Sequence, residues 1–368
     1  MFLYQTTDIY DKNGNGPFKG LVIRTTPNGY KDMGSAEVGE KVLFLAEGEG
    51  QITVNDAFEV GEASEEEEED VDTPEALVEA IENAEDGAVI KLTADMTMEQ
   101  TLEVSGEKAV TIDLGGKEMS GGTVISVTDG AELTLKNGTV KATTGDGAVV
   151  SAGGKLVVDG ATIVSEHKNG ISAKEGEVVF ESGSITSQEA GILGLKNAVV
   201  TVNGGEIEGL DNGPIMGNGS KAGSKNDGTN ANFVMNGGKL IAHIQSTGYI
   251  ACAVYIPNSG SFTMNGGEII SDGCGICHRG GTVNLNGGSI TANGATGVLG
   301  KVGDSRVVVG PYAVVYDAQS KYPAVDSMQL NIAAGMEMVS TDGAENEHKY
   351  VDVLLGEGYE AHINDERA

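Results

Sequence analysis

A short motif recurs along most of the chain and limits its fold more than any other feature. The motif consists of two apolar residues separated by one residue of any type, then Asn, Asp or Ser, then Gly, and it ends with Ile, Leu or Val. Clear copies close at Val140, Ile163, Ile185, Ile207, Leu240, Ile269 and Ile290, and weaker ones at Met119 and Val314. Successive copies lie 21–24 residues apart, except for two steps of 33 and 29 residues. A steady period of this length indicates a chain of stacked structural repeats.

A second set of apolar residues runs in phase with the motif and follows each clear copy by 7 to 14 residues. Its members are Val149, Ile171, Ile192, Ile215, Val254, Ile276 and Val298. Two short strands per period, each ending at a glycine turn, predict one coil of a parallel β-helix. We therefore expect an all-β fold, a parallel β-helix of about ten coils, which at roughly 4.8 Å per coil is a rod about 50 Å long.

The polar position of the motif predicts a structural ladder along this rod. It is occupied by Asn137, Asp159, Ser182, Asn203, Asn236, Asn265 and Asn286. Equivalent positions of successive coils lie above one another, so these side chains are expected to hydrogen-bond from coil to coil, as stacked Asn side chains do in other sheets.

The chain outside the repeat divides into segments of different composition. Residues 1–62 hold short apolar runs between Asn-, Gly- and Pro-rich turns, which predict a small β-rich domain. Residues 63–72 contain six consecutive acidic residues, which favour a solvated linker. Residues 73–314 are predicted to form a capping helix and the β-helix, with loops at 208–230 and 241–257. Residues 315–368, where the repeat fades, are expected to form a C-terminal cap.

The capping helix is predicted from its start signal and its apolar spacing. Thr73 and Pro74 are a helix cap residue and a first-turn proline. Leu77, Ala80 and Ile81 then recur at helical spacing, so one apolar stripe can cover the open end of the first coil.

The charge balance excludes several classes of partner. The chain has 55 acidic and 23 basic residues, a formal net charge of −32, whereas nucleic-acid binding needs a basic face. No apolar run approaches the roughly 20 residues that span a bilayer, so no membrane partner is expected. The first residues lack the basic and apolar regions of a secretory signal, and the three cysteines are an odd number. Both features favour synthesis in a reducing cytoplasm.

Two local patterns resemble ligand sites. Cys274-Gly275-Ile276-Cys277-His278 matches the c-type haem attachment string, but Ile276 belongs to the second apolar set, so we interpret the cysteines as packing residues and expect no cofactor. Asp11, Asn13 and Asn15 are spaced like the first ligands of a calcium loop. The loop's twelfth position falls on Val22, so its bidentate carboxylate is missing and a tight turn is the better interpretation.

Two nearby carboxylates can cleave a glycosidic bond, so paired acids on neighbouring coils are candidates for catalysis. Glu166, Glu189 and Asp211 each follow a motif copy by three or four residues and are the candidate catalytic residues. An acidic chain offers many such coincidences. The segment between Tyr30 and Tyr249 also lacks the Trp and Tyr platforms that sugar sites use, and the whole chain has four arginines. We therefore expect no enzyme activity.

The stretches Ala88–Asp95 and Val110–Lys117 resemble the opening coils of right-handed parallel β-helix proteins of the pectate-lyase-like superfamily. The resemblance spans residues 88–310 and implies a fold. It carries over no catalytic residue, because the stacked Asp ligands and catalytic Arg or Lys of the lyases are not evident.

The combination of a small N-terminal domain, an acidic linker and a β-helix without a secretory signal is similar to bacteriophage virion proteins. It favours a non-enzymatic virion component made in the host cytoplasm, a capsid decoration protein or head fibre. Residues 1–62 would bind capsid or other particle proteins, and the rod would be displayed. The alternatives are a tail fibre or tailspike that binds or cleaves host surface polysaccharide, and a bacterial surface adhesin. Since phage β-helix proteins are often trimers, the oligomeric state is left open between a single chain and a homotrimer.

Overall fold

The computed structural model describes residues 68–217, 230–243, 252–257, 260–293, 312–316 and 329–341, together with the backbone of shorter strands elsewhere. The chain divides into two compact units, Met1–Glu66 and Glu67–Ala368. The calcium-loop candidates Asp11, Asn13 and Asn15 and the second-set residue Val298 lie outside the described residues.

The described part of the first unit consists of strands. They are β1 (Lys19–Gly20), β2 (Thr25–Thr26), β3 (Gly29–Tyr30), β4 (Lys41–Gly48) and β5 (Gln51–Glu59). Strands β4 and β5 pair antiparallel, as do β2 and β3, and β1 pairs parallel with β4. The apolar run that begins at Lys41 therefore forms one strand of a hairpin.

The second unit begins with strand β6 (Glu68–Val71) and helix α1 (Pro74–Asn83). The Thr73 side chain accepts a hydrogen bond from the Ala76 amide, which caps the helix start, and Leu77, Ala80 and Ile81 are buried. The predicted capping helix is therefore confirmed. Strand β6 pairs parallel with the first solenoid strand, so the last part of the acidic segment 63–72 belongs to the sheet. Burial of Val71 accounts for this pairing.

The rest of the second unit is a parallel β-solenoid of about nine turns, which confirms the predicted fold class. Its strands line three faces. The first face consists of β7 (Ala88–Leu92), β10 (Ala109–Asp113), β13 (Glu132–Lys136), the first halves of β16 (Lys155–Ser165) and β18 (Glu177–Ser187), β20 (Val199–Val202), β23 (Asn232–Met235), β26 (Ser261–Met264), β29 (Thr282–Leu285) and β34 (Gln329–Ile332).

The second face consists of β8 (Met96–Met98), β11 (Glu118–Gly121), β14 (Thr139–Ala142), the second halves of β16 and β18, β21 (Glu206–Gly209), β24 (Lys239–Ala242), β27 (Glu268–Ser271), β30 (Ser289–Ala292), β35 (Glu337–Thr341) and β36 (Glu347–His348).

The third face consists of β9 (Leu102–Val104), β12 (Ile125–Val127), β15 (Ala148–Ser151), β17 (Ile171–Lys174), β19 (Ile192–Leu195), β22 (Ile215–Gly217), β25 (Cys252–Ile256), β28 (Cys274–His278), β33 (Val314–Tyr316) and β37 (Val353–Leu355). A separate hairpin joins β31 (Leu299–Val302) to β32 (Ser305–Val308).

Each coil thus has three strands, and the expectation of two was wrong. The repeated motif spans two strands, because its Asn-Gly pair is a corner between the first and second faces. At this corner Gly238 has a φ of 81°, and a Cβ atom there would lie 2.6 Å from the carbonyl oxygen of Gly204. Only glycine fits such a corner without strain.

The core is a column of apolar side chains inside the three faces. On the first face Ile112, Leu135, Val158 and Phe180 are in register and fully buried. Burying one such side chain contributes about 1.5–3 kcal/mol relative to leaving it exposed. Because nearly every coil repeats this contribution on each face, the solenoid holds together without a broad core.

The insertions are shorter than the sequence suggested, and the solenoid extends further. Strands β21 and β22 occupy residues that were predicted as the loop 208–230, and β24 and β25 occupy parts of 241–257. Val314 does not close a motif copy. It pairs with Ile276 on the third face, whereas Ile290 pairs with Met338. Coil pairing therefore continues past residue 314, because a long insertion separates Leu285 from its partner Ile332.

Candidate functional site

The polar ladder lies at the corner between the first and second faces and is continuous over its last four members. Asn236 Nδ2 donates to Asn203 Oδ1 at 2.8 Å, Asn265 donates to Asn236 at 2.8 Å, and Asn286 donates to Asn265 at 2.9 Å. These side chains are exposed. The links fix their rotamers while one amide N–H of each residue remains for other partners.

The earlier members of the ladder are bonded differently. Asn137 Nδ2 donates to the Asp113 carboxylate, and Ser182 Oγ donates to Asp159 Oδ1 at 3.1 Å. Asn203 Nδ2 donates a hydrogen bond to Glu181 Oε2 at 3.0 Å. Charged side chains thus take part in the ladder in its first half, whereas the second half is made of neutral amides.

The three candidate catalytic acids are each bound to a neighbouring side chain. Glu166 forms an ion pair with Lys141 at 3.0 Å, and Glu189 forms one with Lys168 at 2.9 Å. Hydrogen bonding to these carboxylates raises the pKa of both lysines. Asp211 accepts a hydrogen bond from Gln188 Nε2 at 2.9 Å.

The backbone register separates these acids. The Gln188 amide donates to the Ser165 carbonyl, so Gln188 lies at the coil position of Glu166. The Asp211 amide donates to the Gln188 carbonyl, so Asp211 lies at the position of Glu189. The structure therefore stacks Asp211 with Glu189 and places Glu166 in a different column. Glu166 follows its motif copy by three residues and the other two acids follow theirs by four, so the aligned strands place Glu166 one position away from the other two.

A histidine that the sequence analysis missed lies in the column of Glu166. His243 Nδ1 is 3.0 Å from Asp272 Oδ2, and His243 Nε2 is 3.2 Å from Glu208 Oε1. All three side chains are at least partly exposed to solvent. The protonated ring can form an ion pair with each carboxylate. The only sequence signal for this cluster was the position of His243 directly after a strand.

The three thiols pack in a small apolar cluster at the third face, separate from the main core. Cys252 and Cys274 are in register on adjacent strands, and Cys277 and Tyr255 pack with them. All are buried, and the thiols are free. Burial raises the pKa of Cys252, Cys274 and Tyr255. For Tyr255 alone, the charge of Arg279 and a hydrogen bond to it partly oppose this rise in pKa. Protonated, enclosed thiols are poor nucleophiles, which fits packing residues.

His278 lies on the opposite side of the same strand from Cys277. Ile276 is part of the solenoid core, and strand side chains alternate, so His278 points inward as well. Its Nε2 lies 3.0 Å from the Gly281 carbonyl oxygen, and burial lowers its pKa to about 4. Since Cys277 and His278 face opposite sides of the sheet, this string cannot hold a haem as c-type attachment requires.

No cluster of three or more His, Cys, Asp or Glu side chains that could hold a metal ion occurs in the described part of the chain. The calcium candidates Asp11, Asn13 and Asn15 lie outside that part. Within it, no helix has the length and apolar character to cross a membrane.

The first face changes character halfway along the solenoid. Outward residues of β7, β10, β13, β16 and β18 include eight charged side chains: Lys91, Asp113, Glu132, Lys136, Lys155, Asp159, Glu177 and Glu181. The next five strands have only neutral outward residues, which we call the neutral face: Val199, Thr201, Asn203, Asn232, Val234, Asn236, Ser261, Thr263, Asn265, Thr282, Asn284, Asn286, Gln329 and Asn331.

Hydrogen bonds join the neutral face within itself. Besides the ladder, Ser261 Oγ donates to Asn232 Oδ1 at 2.8 Å, and Asn331 Nδ2 donates to Asn284 Oδ1 at 2.8 Å. Asn284 Nδ2 in turn donates to Thr263 Oγ1 at 3.2 Å. The face is therefore an ordered array of amides and hydroxyls. The sequence of a single motif copy does not reveal this array. The array is formed by residues of five strands, and insertions of unequal length separate those strands in the sequence.

Comparison of the chain with protein-family models, with curated proteins and with solved structures gave no match.

Proposed function

We propose that the chain is a non-enzymatic structural protein of a virus particle, a capsid decoration protein or head fibre. Residues 1–62 would attach it to the particle, and the solenoid would be displayed. The observation that carries the proposal is the division into a small unit, Met1–Glu66, and a separate solenoid unit that begins at Glu67. An attachment module joined to a repetitive β-structure suits a protein that presents a surface away from its anchor.

The charge of the chain also supports display on a crowded particle. The six acidic residues Glu65–Asp70 account for only a small part of the net charge of −32, so most of it is distributed over the rest of the chain. Surfaces of like charge repel one another and stay hydrated. Neighbouring copies on a particle would therefore remain separate and soluble.

The state of the candidate acids supports a structural role over glycan cleavage. Glycosidases need one carboxyl group as a proton donor and a second as nucleophile or base across the scissile bond. Glu166 and Glu189 instead form ion pairs with lysines, and Asp211 accepts from Gln188. These contacts are typical of a solvated sheet surface.

A second candidate function is a tail fibre that binds surface polysaccharide without cleaving it. The neutral face favours it, because an exposed array of amides and hydroxyls suits a ligand rich in hydroxyl groups. The two candidates differ in where on the particle the chain would be attached.

Cosedimentation with particles tests the proposal. Particles from a strain lacking the gene are mixed with the full chain or with a variant lacking residues 1–62. We expect the full chain to sediment with the particles and the truncated variant, checked for a folded solenoid by circular dichroism, to remain in solution. Equal sedimentation of both proteins would contradict attachment through residues 1–62.

A further inference from the structure

We propose that the neutral face binds an uncharged polysaccharide, with the sugar chain lying across adjacent coils. This inference rests on the second candidate function, polysaccharide binding, and deepens it by naming the binding face and the class of polymer; it does not depend on how the chain is attached to a particle.

The distribution of charge selects the class of ligand. The neutral face is a patch without charge on a chain with a net charge of −32, and it directly follows strands that have eight outward charges. A polyanion would be repelled by the molecule as a whole, and a cation would bind more favourably to the many carboxylates elsewhere. A neutral ligand has neither disadvantage at this face.

The hydrogen-bonding groups of the face match the hydroxyls of sugars. Each Asn in the middle of the ladder uses one N–H and its oxygen for its neighbours, at 2.8–2.9 Å, which leaves a second N–H and an acceptor lone pair. These groups recur at the coil spacing of roughly 4.8 Å. Because the ladder already fixes the side chains, a ligand that binds them causes little further loss of rotamer entropy.

Two valines add apolar contact area within the polar array. Val199 is 41% exposed, and Val234 is half-buried at the centre of its strand, between Thr201 and Thr263. The C–H faces of pyranose rings can pack on such side chains while their hydroxyls reach the flanking amides. A surface that combines both groups is typical of a site for an amphiphilic ring.

The size of the face distinguishes a sugar chain from a second protein. Five strands about 4.8 Å apart with outward positions along roughly 13 Å give an area of about 250 Å². A standard protein interface needs about 800 Å² from each partner. The neutral face by itself therefore provides less area than stable pairing with a folded partner needs, whereas it can hold several sugar residues of an extended polymer.

Affinity electrophoresis of the full chain tests this proposal. The gels contain uncharged polysaccharides, namely glucan, mannan, galactan or xylan, or the acidic polygalacturonate as a comparison. We expect at least one neutral polymer to retard the protein and polygalacturonate not to do so. Retardation by none of the neutral polymers, or by polygalacturonate alone, would overturn the proposal.

Two matched variants locate the binding site. Val234→Lys places a charge in the centre of the neutral face, and Val157→Lys makes the same change in the same column among the charged strands, beside Thr134 and Val179. We expect Val234→Lys to weaken binding at least about tenfold, corresponding to about 1.4 kcal/mol, and Val157→Lys to leave it unchanged. Thermal unfolding checks that both variants are folded.

Equal loss of binding in both variants would overturn the assignment to the neutral face. A molecular mass by light scattering that is a multiple of the chain mass in the wild type and falls to that of one chain in Val234→Lys would also overturn it. That result would identify the face as a contact between copies. Because neither measurement involves particles, this proposal can fail while the proposed structural role stands.

Discussion

At the scale of single residues, burial governs the chemistry of the groups that first suggested a site. Cys274, Cys277 and His278 form an attachment string in the sequence, but the strand places Cys277 and His278 on opposite sides of a sheet. Removing such groups from water disfavours their charged forms. The Cys274 thiol is therefore held protonated and the His278 imidazole is held neutral.

The thiols are expected to be unreactive in the folded protein. Burial raises the pKa of Cys252 and Cys274, so little thiolate forms near neutral pH, and a reagent cannot reach the sulfurs. Ellman's reagent should modify fewer than one thiol per chain in native buffer and all three in guanidinium chloride. Rapid modification of all three without denaturant would contradict the buried cluster.

His278 is expected to make stability depend on pH. Its pKa falls from 6.5 in the unfolded chain to about 4 in the fold, so the unfolded state binds a proton first as the pH falls. The stability present above pH 6.5 is therefore lost progressively down to pH 4, by roughly 3 kcal/mol. Chemical denaturation of His278→Gln at several pH values should show a smaller decline across this window than the wild type.

The control for this measurement is His167→Gln, since His167 is exposed. This variant should keep the wild-type pH dependence. If His278→Gln and the wild type lose the same stability between pH 6.5 and pH 4, the interior position of His278 is wrong.

At the scale of elements, corners and ends stabilise the solenoid together with its strands. The Asn-Gly corner divides each motif copy between two strands. In the last four members of the polar ladder, amide hydrogen bonds of 2.8–2.9 Å join successive corners. At the start of the solenoid, α1 covers apolar groups that no preceding coil can cover. Both kinds of element can be tested by single substitutions with matched controls.

The capping helix is expected to depend on its buried stripe. Leu77 is fully buried and Val78, the next residue, is 39% exposed. Leu77→Ala should lower the free energy of unfolding by about 2–5 kcal/mol, because it leaves a cavity between helix and solenoid. Val78→Ala should change it by less than about 0.5 kcal/mol. Similar values for the two variants in chemical denaturation would show that α1 does not pack as described.

The amide ladder is expected to contribute measurably to stability. Asn265→Ala removes one hydrogen bond to Asn236 and one to Asn286, each worth roughly 0.5–1.5 kcal/mol. The expected loss in free energy of unfolding is about 1–3 kcal/mol. Asn83→Ala, which changes an exposed Asn at the end of α1 and outside the ladder, serves as the comparison. A smaller loss for Asn265→Ala than for Asn83→Ala would argue against a cooperative ladder.

At the scale of the whole molecule, the period of the motif was enough to predict the parallel solenoid, and the start signal and apolar spacing of residues 73–81 were enough to predict its capping helix. It was not enough to count strands, because a corner and a strand end look alike in sequence. The period of the motif also could not predict the strand register across the insertions. Val314 could be placed on the third face only by its pairing with Ile276, and the neutral outward residues could be seen as one surface only after β29 was paired with β34 across a long insertion.

The candidate site was predicted less well than the fold for a related reason. Glu166, Glu189 and Asp211 have similar offsets from the motif, but a one-residue difference at the corner moves Glu166 into another column. The lysines that bind two of these acids come from neighbouring coils, 21 and 25 residues away. Sequence offsets alone cannot resolve contacts of that kind.

Cryo-electron microscopy of purified particles, with and without the gene, tests the central claim most directly. Our account predicts that wild-type particles carry solenoid density on the capsid, joined to it by the smaller unit, and that particles lacking the gene do not. Identical capsids in the two preparations, with the chain absent from wild-type particles by mass spectrometry, would contradict it.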